Sequence, residues 1–399
     1  MCEKRCFLEV LEMSTPWFSK EEYNIRYEKA RKLMDEKSLD ALFATEVINY
    51  TYLGGHVIPG LNSTTWKSRP YTLILPKKGE PIITGQSGSK NQMLATSWIK
   101  NIKSWKSMPM PIDPLLEAFR ELDLTDGRIG CEFSSEERLG IAYNDLVSLM
   151  KSFPQAEFVD GSDVFWRLRV IKSDAEIACL KKACDVTSIA YEKTFSTIER
   201  GMSREAVKKI MLDYMSDEGL EPGFSTPNFF PAETSFCMKN GDTIFIDAGA
   251  VCKGYHNDFS RVVAVGAASD KVKKLYKTMR EITWKLMAMV KAGVKTADIA
   301  KACIEEHKKA GLSQNKMDNT GRVGHGIGLG NSHPYFFSTE LPSINATDPT
   351  VLEPNMVITL EPGERTSYGY FTLEENFVVK EDGYEILSLP VSDEDIREI

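Results

Sequence analysis

The stretch that most constrains this chain is Gly241 to Arg261, GDTIFIDAGAVCKGYHNDFSR. Thr243 to Ile246 is a β-branched and aromatic run ending at Asp247. Ala248 to Tyr255 is rich in glycine and small residues, and Asp258 precedes a second apolar run, Val262 to Val265. Two such runs around a glycine-containing connection predict a hairpin. Side chains alternate along a strand, so a suitable register sets both aspartates on one face. Two carboxylates on one face repel each other unless a positive group lies between them, and a divalent metal is the usual one. The alternative is an exposed hairpin with two surface acids.

The same logic recurs near the C-terminus. Met356 to Glu361, MVITLE, is a β-rich run with an acidic end, followed by Pro362-Gly363. Phe371 to Val379, FTLEENFVV, carries Glu374 and Glu375 at its middle. Between the two units lies Gly324-His325-Gly326-Ile327-Gly328, whose glycines let backbone pack tightly around an imidazole, and His333-Pro334 follows. Two aspartates, two glutamates and one histidine suit two adjacent hard or borderline divalent ions such as Mn, Co, Fe or Zn, not a structural zinc. Two neighbouring metals lower the pKa of a bridging water and polarise a carbonyl. The glycine loop is no nucleotide motif, because it neither follows a clear strand nor opens a helix.

At 399 residues the chain is long enough for two domains. In the first half the pattern predicts a helix over Phe18 to Lys37, capped by Ser19, and strands at Leu39 to Thr45, Tyr71 to Leu75, Glu80 to Thr84 and Arg128 to Cys131. Helices fall near Pro114 to Leu122 and Gly140 to Lys151. Strands alternating with helices define an α/β domain, residues 1–170. After Phe165 to Asp174 the texture changes. Helices are expected at 175–200, 203–218, 270–291 and 296–311, a hairpin at 243–265, and strands at 356–361, 370–380 and 384–387. That is an α+β domain, residues 171–399.

The net charge of −8 argues against a nucleic-acid partner. No apolar run approaches the roughly 20 residues of a membrane span. The N-terminus lacks the apolar core of a secretory signal, and Met13 is an alternative start. The eight cysteines form no Cys-x-x-Cys pair, and a reducing, cytoplasmic setting is the economical expectation. In the first domain, His56, Trp66 and Arg69 are the residues capable of chemistry in loop-like sequence.

The ordered set IDAGA, HNDFSR, GHGIG, SHP, TLEPG, LEEN and VVKEDGYEIL resembles the creatinase, Xaa-Pro peptidase and methionine aminopeptidase family. RLRVIKSDAEI resembles the segment that opens the catalytic domain in the creatinase–prolidase branch, so the likeness spans essentially the whole chain. It implies a creatinase-type N-terminal α/β domain and an α+β catalytic domain with the pita-bread fold. The implied ligands of two divalent metal ions are Asp247, Asp258, His325, Glu361 and Glu374. Glu361 would also help activate the bridging water, and His333 would assist the substrate carbonyl. The implied chemistry is hydrolysis of a peptide or amide C–N bond, Xaa-Pro peptidase-like, by a metal-bridging hydroxide. Branch relatives are commonly homodimers, which would bring Trp66 and its loop to the partner's pocket as a substrate-binding element.

The departures bear on the substrate. Xaa-Pro peptidases carry a histidine upstream of the first metal strand. Here STPNFFPAETSFCMKNGD has none, with Asn228 or Glu233 in its place. An arginine expected two residues before the last metal glutamate is Thr372, for which Arg365 or Arg322 would have to compensate. A second expectation is therefore a repurposed member acting on a small non-peptide substrate, as an ectoine-type hydrolase, a creatinase-like amidinohydrolase or a dimethylsulfoniopropionate lyase. A third, a non-catalytic binding protein, fits poorly with a complete ligand set.

Overall fold

The computed structural model describes residues 15–55, 69–108, 110–134, 137, 139–231, 237–313, 321–329, 340–389 and 394–399. The chain divides into two compact units, Met1–Arg169 and Val170–Ile399.

The N-terminal unit is built on a mixed six-stranded sheet. Its strands are β1 (Ala41–Ala44), β2 (Thr72–Pro76), β3 (Ile82–Gln86), β4 (Ile102–Trp105), β5 (Arg128–Cys131) and β6 (Glu157–Asp160), in the order β4-β3-β2-β1-β5-β6. The helices are α1 (Lys20–Glu36), α2 (Val47–Gly54), α3 (Lys90–Thr96), α4 (Asp113–Glu121), α5 (Tyr143–Ser152) and α6 (Ser162–Val170). Ser19 caps α1 by accepting from the Glu22 amide. Strand β1, ALFA, is buried at every position, as a central strand covered on both faces must be. The core centres on Phe119, whose ring stacks on Phe153 and meets Phe43 edge-on. Glu132 is buried inside this unit. It accepts from the Thr45 amide and hydroxyl and from Asn49 Nδ2. Burial, aided by the Glu137 and Glu46 carboxylates, pushes its carboxyl up to about 8.

The C-terminal unit opens with α7 (Asp174–Thr197), begun by a Ser173–Glu176 capping box, and α8 (Arg204–Asp217). Its first sheet is organised on the long strand β9 (Thr243–Cys252). β7 (Glu221–Ser225) and β8 (Asn228–Phe230) pair with β9, which continues into β10 (Tyr255–His256) and β11 (Phe259–Ala264). Lys253 and Gly254 both have positive φ, 51° and 76°, the geometry of a two-residue type I′ turn. Helices α9 (Asp270–Met287) and α10 (Thr296–Lys309) follow. The second sheet uses β12 (Gly324–Gly326), β13 (Glu340–Ser343), β14 (Val357–Leu360), β17 (Glu375–Val379) and β18 (Tyr384–Ile386), ordered β13-β12-β14-β17-β18. β15 (Gly363–Thr366) and β16 (Gly369–Thr372) form a separate hairpin, and β19 (Arg397–Glu398) edges β11. Met279 and Leu286 of α9 are buried in one core with Phe245, Ile358, Phe371 and Phe377.

Two expectations change in detail. The strand expected over 370–380 is two strands. The chain leaves β15 and joins β14 at Leu373-Glu374, and alternation along one segment carries no information about which neighbour it pairs with. The segment read as a change of texture contains helix α6.

Candidate metal centre

Strand register explains how acids far apart in sequence meet. Asp247 lies opposite Ser260 in the β9–β11 ladder. Asp258 is two residues before Ser260, so both aspartates take one face. In the second sheet Gly324 pairs with Leu360, His325 with Thr359, and Leu360 with Glu375. The Glu361 amide donates to the Val323 carbonyl at 2.7 Å, which continues the ladder by one residue. Parity then gives His325, Thr359, Glu361 and Glu374 a common face.

Asp258, His325 and Glu374 are all buried, with one ligand atom of each within 4.8 Å of the others. His325 Nε2 is 3.5 Å from Asp258 Oδ2. The other ring nitrogen, Nδ1, faces the Gly326 carbonyl at 2.7 Å and must donate to it, since a carbonyl only accepts. A neutral imidazole so held offers the Nε2 lone pair to the space the two carboxylates address. A divalent cation accepts all three donors, and the fixed tautomer is the usual outer support of a metal-binding histidine. The donor set fits a metal.

Asp247 is half-buried on β9, and Glu361 is buried with its Oε1 3.6 Å from Arg322 Nε. Asp247, Asp258 and Glu374 all act on the Tyr191 phenol: burial raises its pKa first, and the three carboxylates add to the rise. The two adjacent glutamates separate cleanly. Glu374 accepts from Thr359 Oγ1 at 2.8 Å, whereas Glu375 pairs with Arg261 at 3.0 Å and with Ser388. Thr372 is buried, and its hydroxyl finds no hydrogen-bond partner among the described residues. The Arg365 guanidinium lies over the Phe230 and Tyr370 rings. Asn228 Nδ2 donates to the Thr226 carbonyl. His333, Trp66, His56, Glu233 and Met13 lie outside the described residues.

The supports of the site were missed from sequence. Asn376 Oδ1 accepts from the Asp258 amide, and its Nδ2 donates to the Asp258 carbonyl. Arg261 donates to the Glu374 carbonyl at 2.8 Å and to the Ser260 and Leu389 carbonyls, with its guanidinium over the Phe259 ring. Each hairpin thus holds the backbone of the other's acid. The one available signal was position, since Arg261 and Asn376 sit three and two residues after acids of the quoted motifs. Burial lowers the His256 imidazole to about 4.

Residues 178–381 match metallopeptidase family M24, and residues 26–171 match the creatinase/prolidase N-terminal domain. The chain belongs to family M24. It is a metal-dependent hydrolase with a creatinase-type N-terminal domain and a pita-bread domain. The Xaa-Pro dipeptidase of Pyrococcus furiosus is 25% identical over 374 residues, covering 90% of this chain and 96% of its own. The ectoine hydrolase of Halomonas elongata is 24% identical over 409 residues, 95% of this chain and 98% of its own. The crystal structure of an X-Pro aminopeptidase from Thermotoga maritima MSB8 superposes with a TM-score of 0.77 at 22% identity, covering 94% and 99% of the two chains.

Proposed function

We propose that residues 171–399 form the catalytic domain of a dimetal peptidase that cleaves short peptides at an Xaa-Pro bond. Asp247, Asp258, His325, Glu361 and Glu374 would hold the ions. The observation that carries this is the buried Asp258–His325–Glu374 trio, with ligand atoms within 4.8 Å. When bound, two divalent ions such as Mn, Co, Fe or Zn supply an activated water and polarise the scissile carbonyl. Glu361, at the open end of β14, accepts the proton given up by the attacking water and passes it to the leaving nitrogen. His325 keeps its Nδ1 proton on Gly326, and Thr359 fixes one oxygen of Glu374, so the donors need not reorganise. His333 is assigned to the substrate carbonyl and Trp66 to the pocket of a homodimer, both from the sequence. The cytoplasm is the proposed compartment, and among the described residues no helix is long and apolar enough to cross a membrane.

A second reading has a specific support. Thr372 places a buried, unengaged hydroxyl where the resemblance calls for an arginine, and the ectoine hydrolase likeness spans 95% of the chain. Hydrolysis of a small cyclic amidine is that alternative. The experiment is metal analysis of purified protein, followed by assays of Ala-Pro and ectoine with added Mn(II) or Co(II). Two ions per chain and turnover of Ala-Pro uphold the first reading, and turnover of ectoine alone selects the second. Fewer than one ion per chain rejects both.

A further inference from the structure

Five histidines occur in the chain, and two of those within the described residues are visibly employed. His325 donates from Nδ1 to the Gly326 carbonyl, and His307 Nδ1 lies 2.9 Å from the Cys303 carbonyl in its own helix. The His256 side chain differs. Its Nδ1 is closed off from the surface and has no hydrogen-bond partner among the described residues. A polar nitrogen in that state is costly unless something else completes it.

The direction of the ring follows from register. β10 and β11 pair with β9 without a shift: His256 opposes Val251, Phe259 opposes Ala248, and Ser260 opposes Asp247. Alternation puts His256, Asp258 and Ser260 on the face of Asp247, and turns Tyr255 and Asn257 the other way. Two contacts agree. Tyr255 donates its hydroxyl to Glu176 of α7 at 2.7 Å, and Thr187 Oγ1 of α7 donates to Asn257 Oδ1 at 3.0 Å. Helix α7 therefore covers one face, and the His256 ring shares the other with the two aspartates. Its backbone is held as well, since the His256 amide donates to the Gly328 carbonyl at 3.0 Å, three residues along from His325.

We propose that His256 is a substrate-binding residue whose imidazole donates a hydrogen bond to a carboxylate or carbonyl oxygen of the substrate beside Asp258. This rests on the peptidase reading above. The acids of the site supply acceptors in plenty, and an oxygen-rich substrate such as a dipeptide needs a donor there. An imidazole provides one without adding to the negative charge. No metal ligand is displaced by this role, because the ring lies two residues from Asp258 along the strand.

The test compares Mn(II)-loaded wild type with His256→Ala and His256→Gln, using Ala-Pro hydrolysis, calorimetric titration with L-proline, metal content and melting temperature. In His256→Ala, KM for Ala-Pro rises roughly 5- to 100-fold while kcat stays within about threefold. His256→Gln, which keeps one donor, falls between. Metal content and melting temperature match wild type. An unchanged KM overturns the proposal, as does a loss of metal in step with activity, which would make His256 a ligand or a structural residue. Should wild type cleave no Xaa-Pro dipeptide, the peptidase reading fails separately and the L-proline titration decides. At least fivefold weaker binding by His256→Ala upholds the proposal, and equal or undetectable binding by both proteins overturns it.

Discussion

Replacing Arg261 with methionine isolates the tie between the two hairpins. Methionine keeps roughly the length of the side chain and removes the guanidinium, along with its stacking over the Phe259 ring. That guanidinium donates to the Ser260, Glu374 and Leu389 carbonyls and neutralises Glu375, whose side chain is 0% exposed. Removing one partner of a buried pair leaves the other charge uncompensated and costs about 3–5 kcal/mol. At about 2–4 °C per kcal/mol for a domain of this size, the melting temperature drops by roughly 6–20 °C. The measurement is calorimetry of metal-free protein in excess chelator, because bound metal adds its own linkage to the folded state. Arg261→Met/Glu375→Gln recovers at least about 1 kcal/mol of the loss, since the pair interacts directly. A drop below about 3 °C, or a double variant that merely adds the two single effects, refutes the reasoning.

Thr359→Val removes the hydroxyl that donates to Glu374 at nearly constant volume. It lowers metal affinity about 10- to 100-fold, read by competition with a chromophoric chelator, while the fold persists. Gly324→Ala drives a Cβ to 2.1 Å from the Thr359 carbonyl oxygen, a backbone atom that cannot rotate away. It destabilises the β12–β14 ladder by about 1–3 kcal/mol and lowers metal content in equilibrium dialysis. The Glu132 carboxyl titrates at about 8 folded and near its ordinary value unfolded. The unfolded state therefore releases its proton first, and stability of the N-terminal unit falls as pH rises from about 4.5 to 8, then levels off. Denaturant melts across that range show the slope in wild type and lose it in Glu132→Gln.

Much of the architecture was legible because it is local. The β-branched runs Thr243–Ile246 and MVITLE, glycine at the turn, and Ser19 and Ser173 at helix starts are decided by nearest neighbours along the chain. Such patterns gave the β9–β11 hairpin and helices α1, α7 and α8 within a few residues of their ends. The partner switch at Leu373-Glu374 was not legible, since each side of it reads as a good strand.

By itself the sequence determined which side chains lie on which face: a strand's period of two ties Asp258 to Ser260, and His325 can sit where it does because Gly324 and Gly326 admit backbone at close range. Only the tertiary structure decided that Asn376 grips the Asp258 backbone, that Arg261 grips that of Glu374, and that helix α7 covers the Tyr255 and Asn257 face and leaves the other to the acids and His256. Those contacts join residues more than a hundred positions apart or depend on which face a helix covers. Local propensity has no term for either, and the pairing of strands in three dimensions supplies it.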